Sequence, residues 1–273
     1  RQVLKTQKHP KPVDGRPCFA VFRGYMRNVL PLLFLSACGT SPAETPVVEA
    51  NPAPLLDAMT AVQPEPLVEL VEHPHAVIGS ESACPAITIL DSDPGTLKEL
   101  WTGGCTSENG LRFEGELERF DGPDGAWIAG KSFRIEQASE PVFMLDGAIE
   151  ISVSGDLWLI DAAAALCGTE HWSCSEGLLG LDLAFTIYPA AFFPQDYDAT
   201  VSGAFATEDA TYTLDGAWSI DEGICGIEPA SGMLSVQQGR HHALTLNGAE
   251  RCDGCLGWQV QGQPTPGLCG LNH

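Results

Sequence analysis

The residues with the most chemistry in this chain are its cysteines. Ten occur in 273 residues. Cys18 and Cys38 stand apart near the start, and Cys84, Cys105, Cys167, Cys174, Cys225, Cys252, Cys255 and Cys269 follow. An even set of this density reads as four disulfides, a chemistry that persists only where the compartment is oxidising. Sequence neighbours give the expected pairs Cys84 with Cys105 and Cys167 with Cys174, and the last four would pair among themselves. On the chain-entropy account, each loop of about 20 residues closed this way adds about 3 kcal/mol. Cys252-Asp253-Gly254-Cys255 also has the spacing of a redox or zinc motif. A redox pair needs a following helix to lower a thiol pKa, whereas Asp-Gly marks a turn between strands. Zinc needs a second ligand pair. His241 and His242 precede the motif, but neighbours on a strand point to opposite faces. Structural disulfide is therefore the reading.

Other chemistry is sparse. Asp91-Ser92-Asp93-Pro94-Gly95 and Asp196-Tyr197-Asp198 are acidic enough for calcium, yet neither completes an EF-hand loop. They read as solvated turns. The sequence contains no nucleophile elbow, phosphate loop, dinucleotide fingerprint or paired-histidine zinc helix. No cofactor, metal or catalytic residue is expected.

Charge and composition narrow the class further. Lys plus Arg number 14 against 36 Asp plus Glu, a net charge of −22. Such a surface repels nucleic acid, which needs cations to displace its counterions. Apolar residues make up 44%, enough for a core. Gly (29) and Pro (20) together supply 49 residues, which points to many turns and few long helices.

Residues 1–25 carry six bases and one acid, opposite in sign to the rest, and read as translation upstream of a start at Met26; a basic N-terminal arm is the alternative. From Met26 the order is Arg27, the apolar run Val29-Leu30-Pro31-Leu32-Leu33-Phe34-Leu35, then Ser36-Ala37-Cys38. That is the layout of a secretory signal. Leu35-Ser36-Ala37-Cys38 resembles the lipobox of bacterial lipoproteins. The resemblance implies cleavage before Cys38, a diacylglyceryl group on its thiol and a further acyl chain, of the palmitate kind, on the new amine. Several chains at about 0.8 kcal/mol per buried methylene anchor stably. Gly39 after the cysteine resembles outer-membrane sorting. Removing 37 residues takes away seven bases (14 − 7 = 7) and one acid (36 − 1 = 35), leaving a net charge of −28.

These features divide the chain into an upstream extension (1–25), a signal peptide (26–37), a Pro-rich acidic tether (38–83) and a disulfide-rich β domain (84–273). Seven prolines between Cys38 and Cys84 forbid continuous helix or sheet. The stretch 68–73 is granted one helical turn. As a coil the tether spans roughly 35–40 Å.

Beyond residue 84, period-two alternation marks strands over 86–90, 111–117, 149–153, 183–188 and 210–214. The expected fold is all-β: an antiparallel meander of about 10–12 strands forming a sandwich, open barrel or β-roll. Asp161-Ala162-Ala163-Ala164-Ala165 is its one helix-like piece. Cys105, Cys167 and Cys225 each begin Cys-x-x-Glu, 62 and 58 residues apart, each with a Trp upstream (Trp101, Trp158, Trp218). This echo is readable as three units of about 60 residues. A second echo, apolar-polar-Gly, ends at Gly115, Gly147, Gly216 and Gly248, where a bulge or bend is expected. Pro189-Ala190-Ala191-Phe192-Phe193-Pro194 is expected to plug the end of the sheet or to form a contact lip.

The functional expectation is a lipid-anchored protein of the bacterial cell envelope with a non-catalytic binding or scaffolding domain. Its partners are the membrane, through the anchor, and an envelope protein, a glycan or an apolar ligand. A β-barrel carrier of an apolar ligand and an exported hydrolase are the alternatives.

Overall fold

The computed structural model describes residues 63–78, 83–91, 93–169, 172–225, 229–246 and 255–269. The signal segment, Cys18 and Cys38 lie outside these residues. Helix α1 (Pro64–Glu72) leads into the short helix α2 (Pro74–Ile78). Strands β1 (Ala86–Asp91), β2 (Leu97–Thr102), β3 (Cys105–Thr106), β4 (Leu111–Gly122), β5 (Gly125–Gln137), β6 (Glu140–Ser154) and β7 (Leu157–Cys167) follow. The remainder are β8 (Leu179–Tyr188), β9 (Asp196–Ala206), β10 (Thr211–Asp221), β11 (Pro229–Gln238), β12 (Arg240–Leu246), β13 (Cys255–Val260) and β14 (Gln263–Cys269), with a helical turn, α3 (Glu222–Cys225), before β11.

All fourteen strands belong to one antiparallel sheet in sequence order, with β3 continuing β2 along the same side of β4. The sheet is an open meander with β1 and β14 as its edges, and so is neither a two-sheet sandwich nor a closed barrel. It has more strands than the ten to twelve expected. Four of the five strand segments read from alternation fall within strands and the fifth, 210–214, overlaps β10 from Thr211 on, and Asp121–Gly125 turns β4 into β5.

Period two sorts the side chains. In β8, Leu179, Leu181, Leu183, Phe185 and Ile187 are buried on one face while Asp182, Ala184 and Tyr188 are exposed on the other. The alanine segment at 161–165 follows the same rule inside β7, with Ala162 and Ala164 buried and Asp161 exposed. It is strand, not helix. Five residues cannot repay helix nucleation, and the ladders with β6 and β8 satisfy their backbone on both sides. Gly115 has φ +78° at the bulge between Glu114 and Glu116, and a Cβ there would lie 2.2 Å from the Ser132 carbonyl oxygen. Gly147 has φ +116° opposite Ala164, and a Cβ would lie 2.3 Å from the Ala163 carbonyl oxygen. Both let adjacent strands approach and bend as no larger residue would.

Part of the apolar face is covered by α1. This departs from the tether expectation: residues 64–78 pack with the β domain, and the helix runs nine residues rather than one turn. Pro64 and Pro66 sit in its first turn, where amide donors lack intrahelical partners anyway. Leu67, Val68, Leu70 and Val71 then form a buried stripe facing the sheet, and Glu69 and Glu72 face out. The helix packs over β5 and β6.

Side chains fill the space between. Trp101, Phe113, Leu117, Ile128, Leu145, Ile149, Leu179, Ile187, Val236 and Leu244 are 0% exposed, as are Leu70 and Val71. No water-sized space touches any of them, on strands from β2 to β12.

Disulfides join Cys84 to Cys105 and Cys167 to Cys174, as the spacing predicts. Cys255 is also disulfide-bonded. The side chains of Cys225 and Cys269, and all of Cys252, lie outside the described residues. The Cys-x-x-Glu segments occupy different settings: Cys105 opens β3, Cys167 closes β7 and Cys225 ends a helical turn. One meander runs through all three. The aromatic loop serves as a plug: Phe193 packs on Trp158 (5.5 Å between ring centroids) and on Tyr197 (4.9 Å).

If α1 is a wall of the core, Leu70→Ala lowers the free energy of unfolding by about 2–5 kcal/mol. Urea denaturation of the oxidised chain measures it, and a loss well under about 1 kcal/mol would make the helix a surface attachment.

Candidate functional site

The polar residues that the fold gathers lie where α1 and α2 meet β2 and β4. Leu117 is an inward residue of β4, so period two also sends Arg119 inward. Register places Arg119 directly opposite Glu99 of β2. Both residues are only 7% exposed, which leaves neither charge free to seek water. Arg119 Nη1 lies 3.5 Å from Glu99 Oε2. Its Nη2 donates to the Glu72 carbonyl oxygen (3.2 Å) and to Asp121 Oδ2 (3.3 Å). Trp101 Nε1 donates to Glu99 Oε2 at 3.1 Å, and His75 Nε2 of α2 stands 3.4 Å from the same oxygen. The His75 and Trp101 rings are 4.4 Å apart.

This network is a clamp. A single guanidinium joins the C-terminal end of α1 to two strands, and one buried carboxylate draws donors from β2, β4 and α2. Its geometry uses Glu99 as an acceptor, which suits holding the helices down better than moving a proton.

A pocket of about 310 Å³ opens beside the clamp. Glu72 and His73 line it from the end of α1, Asp121 and Gly122 from the end of β4, and Ile151 and Trp158 from β6 and β7. Desolvation raises the pKa of Glu72 above the ordinary 4.5; His73 opposes the shift and Asp121 adds to it. The lining thus offers two carboxylates, the negative end of a helix dipole and an indole face, with no hydroxyl or thiol nucleophile among its residues. Such a surface can hold a ligand group, a cationic or hydrogen-bonding one by its carboxylates.

A second buried pair ties the other end of α1. Tyr197 of β9 donates its hydroxyl hydrogen to Glu65 Oε1. Burial raises the phenol far above its usual 10, and the Glu65 charge and hydrogen bond push the same way, against a smaller opposing bond from Trp218. The phenol is therefore a permanent donor.

The residues singled out for metal or redox chemistry have other occupations. Asp91 Oδ1 accepts from Asp93 N (3.2 Å), closing a turn. Asp196 Oδ1 accepts from Glu222 N (3.0 Å), and Asp198 accepts from the Ser219 hydroxyl. His241 and His242 do point to opposite faces: His241 is exposed and bonded to Ser235 Oγ (2.8 Å), while His242 is buried. Trp258 Nε1 donates to His242 Nδ1 at 3.2 Å, and the two rings stack 5.9 Å apart. Desolvation lowers the pKa of His242 below the ordinary 6.5, and the charges of His241 and Arg240 add to it.

Motif reading missed the Glu99–Arg119 clamp because no motif marks it. A signal existed in the phase of β4, where a lone arginine follows Leu117 at the inward position. Comparison with known proteins adds nothing here: no family model, no curated protein and no solved structure matches the chain.

Two outcomes follow. Arg119→Met removes one partner of a buried pair and should cost about 3–5 kcal/mol, whereas Glu99→Gln combined with Arg119→Met recovers much of the loss in denaturant unfolding. For His242, a folded pKa below the unfolded one means that the unfolded chain binds the extra proton first. Stability is then complete above about pH 6.5 and is lost as pH falls from there toward the lowered pKa. The loss, read as the difference in unfolding free energy between pH 7 and pH 5, should shrink in His242→Phe, and an unchanged difference would contradict a neutral, buried imidazole.

Proposed function

We propose that this chain is a bacterial envelope lipoprotein whose β domain is a non-catalytic binding or scaffolding module, held outside the cytosol by acyl chains on Cys38. The observation that supports the binding-module reading over a carrier is the close packing of the inner face. Ten residues on strands from β2 to β12 and two of α1 are 0% exposed, and the pocket of about 310 Å³ on that face is lined by Glu72 and Asp121 as well as by apolar groups, unlike the apolar cavity of a carrier. The buried charges are spent on the clamp and on the Glu65–Tyr197 bond, not aimed at a reacting centre.

The location rests on two supports. The layout of residues 26–38 is that of a cleaved, acylated signal, and the disulfides within the β domain suit an oxidising compartment. No described helix is long and apolar enough to cross a membrane; attachment is assigned to the lipid on the layout of residues 26–38. The acidic outer surface, with exposed Asp146, Glu150, Asp161, Asp182, Asp198 and Asp215 along β6 to β10, keeps the domain soluble beside an anionic membrane. Partners are then envelope proteins or glycans met at that surface, with outer-membrane sorting favoured by Gly39.

Cys38→Ala tests the anchor. The parent chain should partition into the detergent phase and the variant into the aqueous phase; equal partitioning would refute acylation. Titration of the domain surface with a long-chain fluorescent fatty acid should show no saturable uptake, and stoichiometric binding would replace the module with the carrier.

A further inference from the structure

The two edges of the sheet are built differently. β14 carries Pro264 and Pro266, which remove amide donors from its ladder. β1 carries no proline, and all six of its residues are exposed. Ile87 (38%), Ile89 (60%) and Leu90 (50%) are three of the exposed large apolar side chains of the described residues. A long sheet with one blocked edge and one open, apolar edge invites addition of a strand at the open side only.

We infer that β1 pairs with β1 of a second copy, antiparallel across a two-fold axis, to give a closed dimer. The reason lies in the strand itself. A two-fold axis perpendicular to the sheet keeps each residue on its own face, so a residue can oppose only one of the same parity. Centring the axis on Thr88 sets Ile87 opposite Ile89, Thr88 opposite Thr88, and Ala86 opposite Leu90 of the mate. Every pair is apolar on apolar except the central threonines, which suit each other as cross-strand partners. The one charge, Asp91, lies outside the pairing, so two strongly acidic molecules meet here without opposed carboxylates. Register with β2 puts Ile87 beside Trp101 and Ile89 beside Glu99, on the inner face. The mate's isoleucines would therefore extend the buried face past its present limit.

The contrast with β14 decides between closed and open assembly. Pairing β1 of one copy with β14 of the next would propagate into a fibre; the prolines of β14 oppose that contact and leave the isologous one. The regular ladder of β1 runs from Ala86 to Ile89 before a bulge, so the interface is short and the dimer is reversible.

The test uses the full chain in detergent. Thr88→Cys places two thiols at opposed positions, where antiparallel Cα spacings of about 4.5–5.5 Å fall within disulfide reach. On mild oxidation it should form a covalent dimer at least about tenfold faster than Lys131→Cys, an exposed control on β5. Adding Ile89→Lys should abolish the advantage, with the circular dichroism and melting temperature of the exposed-site variant unchanged. Sedimentation of the parent chain should show a monomer–dimer equilibrium that Ile89→Lys shifts to monomer. Crosslinking of Thr88→Cys no faster than the control, or a parent that stays monomeric at every concentration, overturns the inference.

Discussion

The sheet presents one apolar face, with buried side chains from β2 to β13, and the rest of the domain is arranged around it. Thirteen strands in series present a broad apolar surface that no second sheet meets. Helix α1 covers the part of it over β5 and β6 with four aliphatic side chains, and it is fixed at both ends by part-buried polar bonds, Glu65 to Tyr197 of β9 and the Glu72 carbonyl to Arg119 of β4. At roughly 25 cal/mol per Å² of apolar surface removed from water, the aliphatic stripe supplies the driving force. The two polar anchors supply direction: a helix held only by leucine and valine could slide, whereas these bonds admit one placement.

The same economy governs charge. Seven bases remain after residue 37, and five of them, Lys98, Arg112, Arg119, Lys131 and Arg134, lie on β2, β4 and β5. There they pair with Glu99, Glu114, Glu116, Glu118 and Glu136. Strands β6 to β10 carry outward carboxylates with no base among them, and Glu150 even stands directly opposite Asp161. Like charges in that position destabilise a sheet. The domain tolerates the cost on a wet face, where water screens it, and of the five cations on β2, β4 and β5 only Arg119 is buried, against Glu99.

Much of the fold was legible. Alternation located strands and cysteine spacing gave two disulfides, because each of these is a short-range property. Two errors share a physical cause. The prolines of 64–66 suggested open chain, yet the first turn of a helix is where proline costs least. The alanines of 161–165 suggested helix, yet strand neighbours on both sides outweigh a propensity of a few tenths of a kcal/mol per residue. In both, a residue preference was read without the partner that overrides it. The candidate site was legible only in its phase: Leu117 and Arg119 share a face, but which carboxylate would meet the arginine was not written locally.

The amino-acid order alone determined the acidic balance, the period-two strands, the close cysteine pairs and the layout that resembles a lipoprotein signal, since each depends on residues a few positions apart. Tertiary structure decided that the sheet stays open, that a helix 47 residues distant in sequence caps Arg119, and that β1 is left as an uncovered edge. Those outcomes depend on which distant segments win a place on one shared apolar face, a competition that no local pattern records.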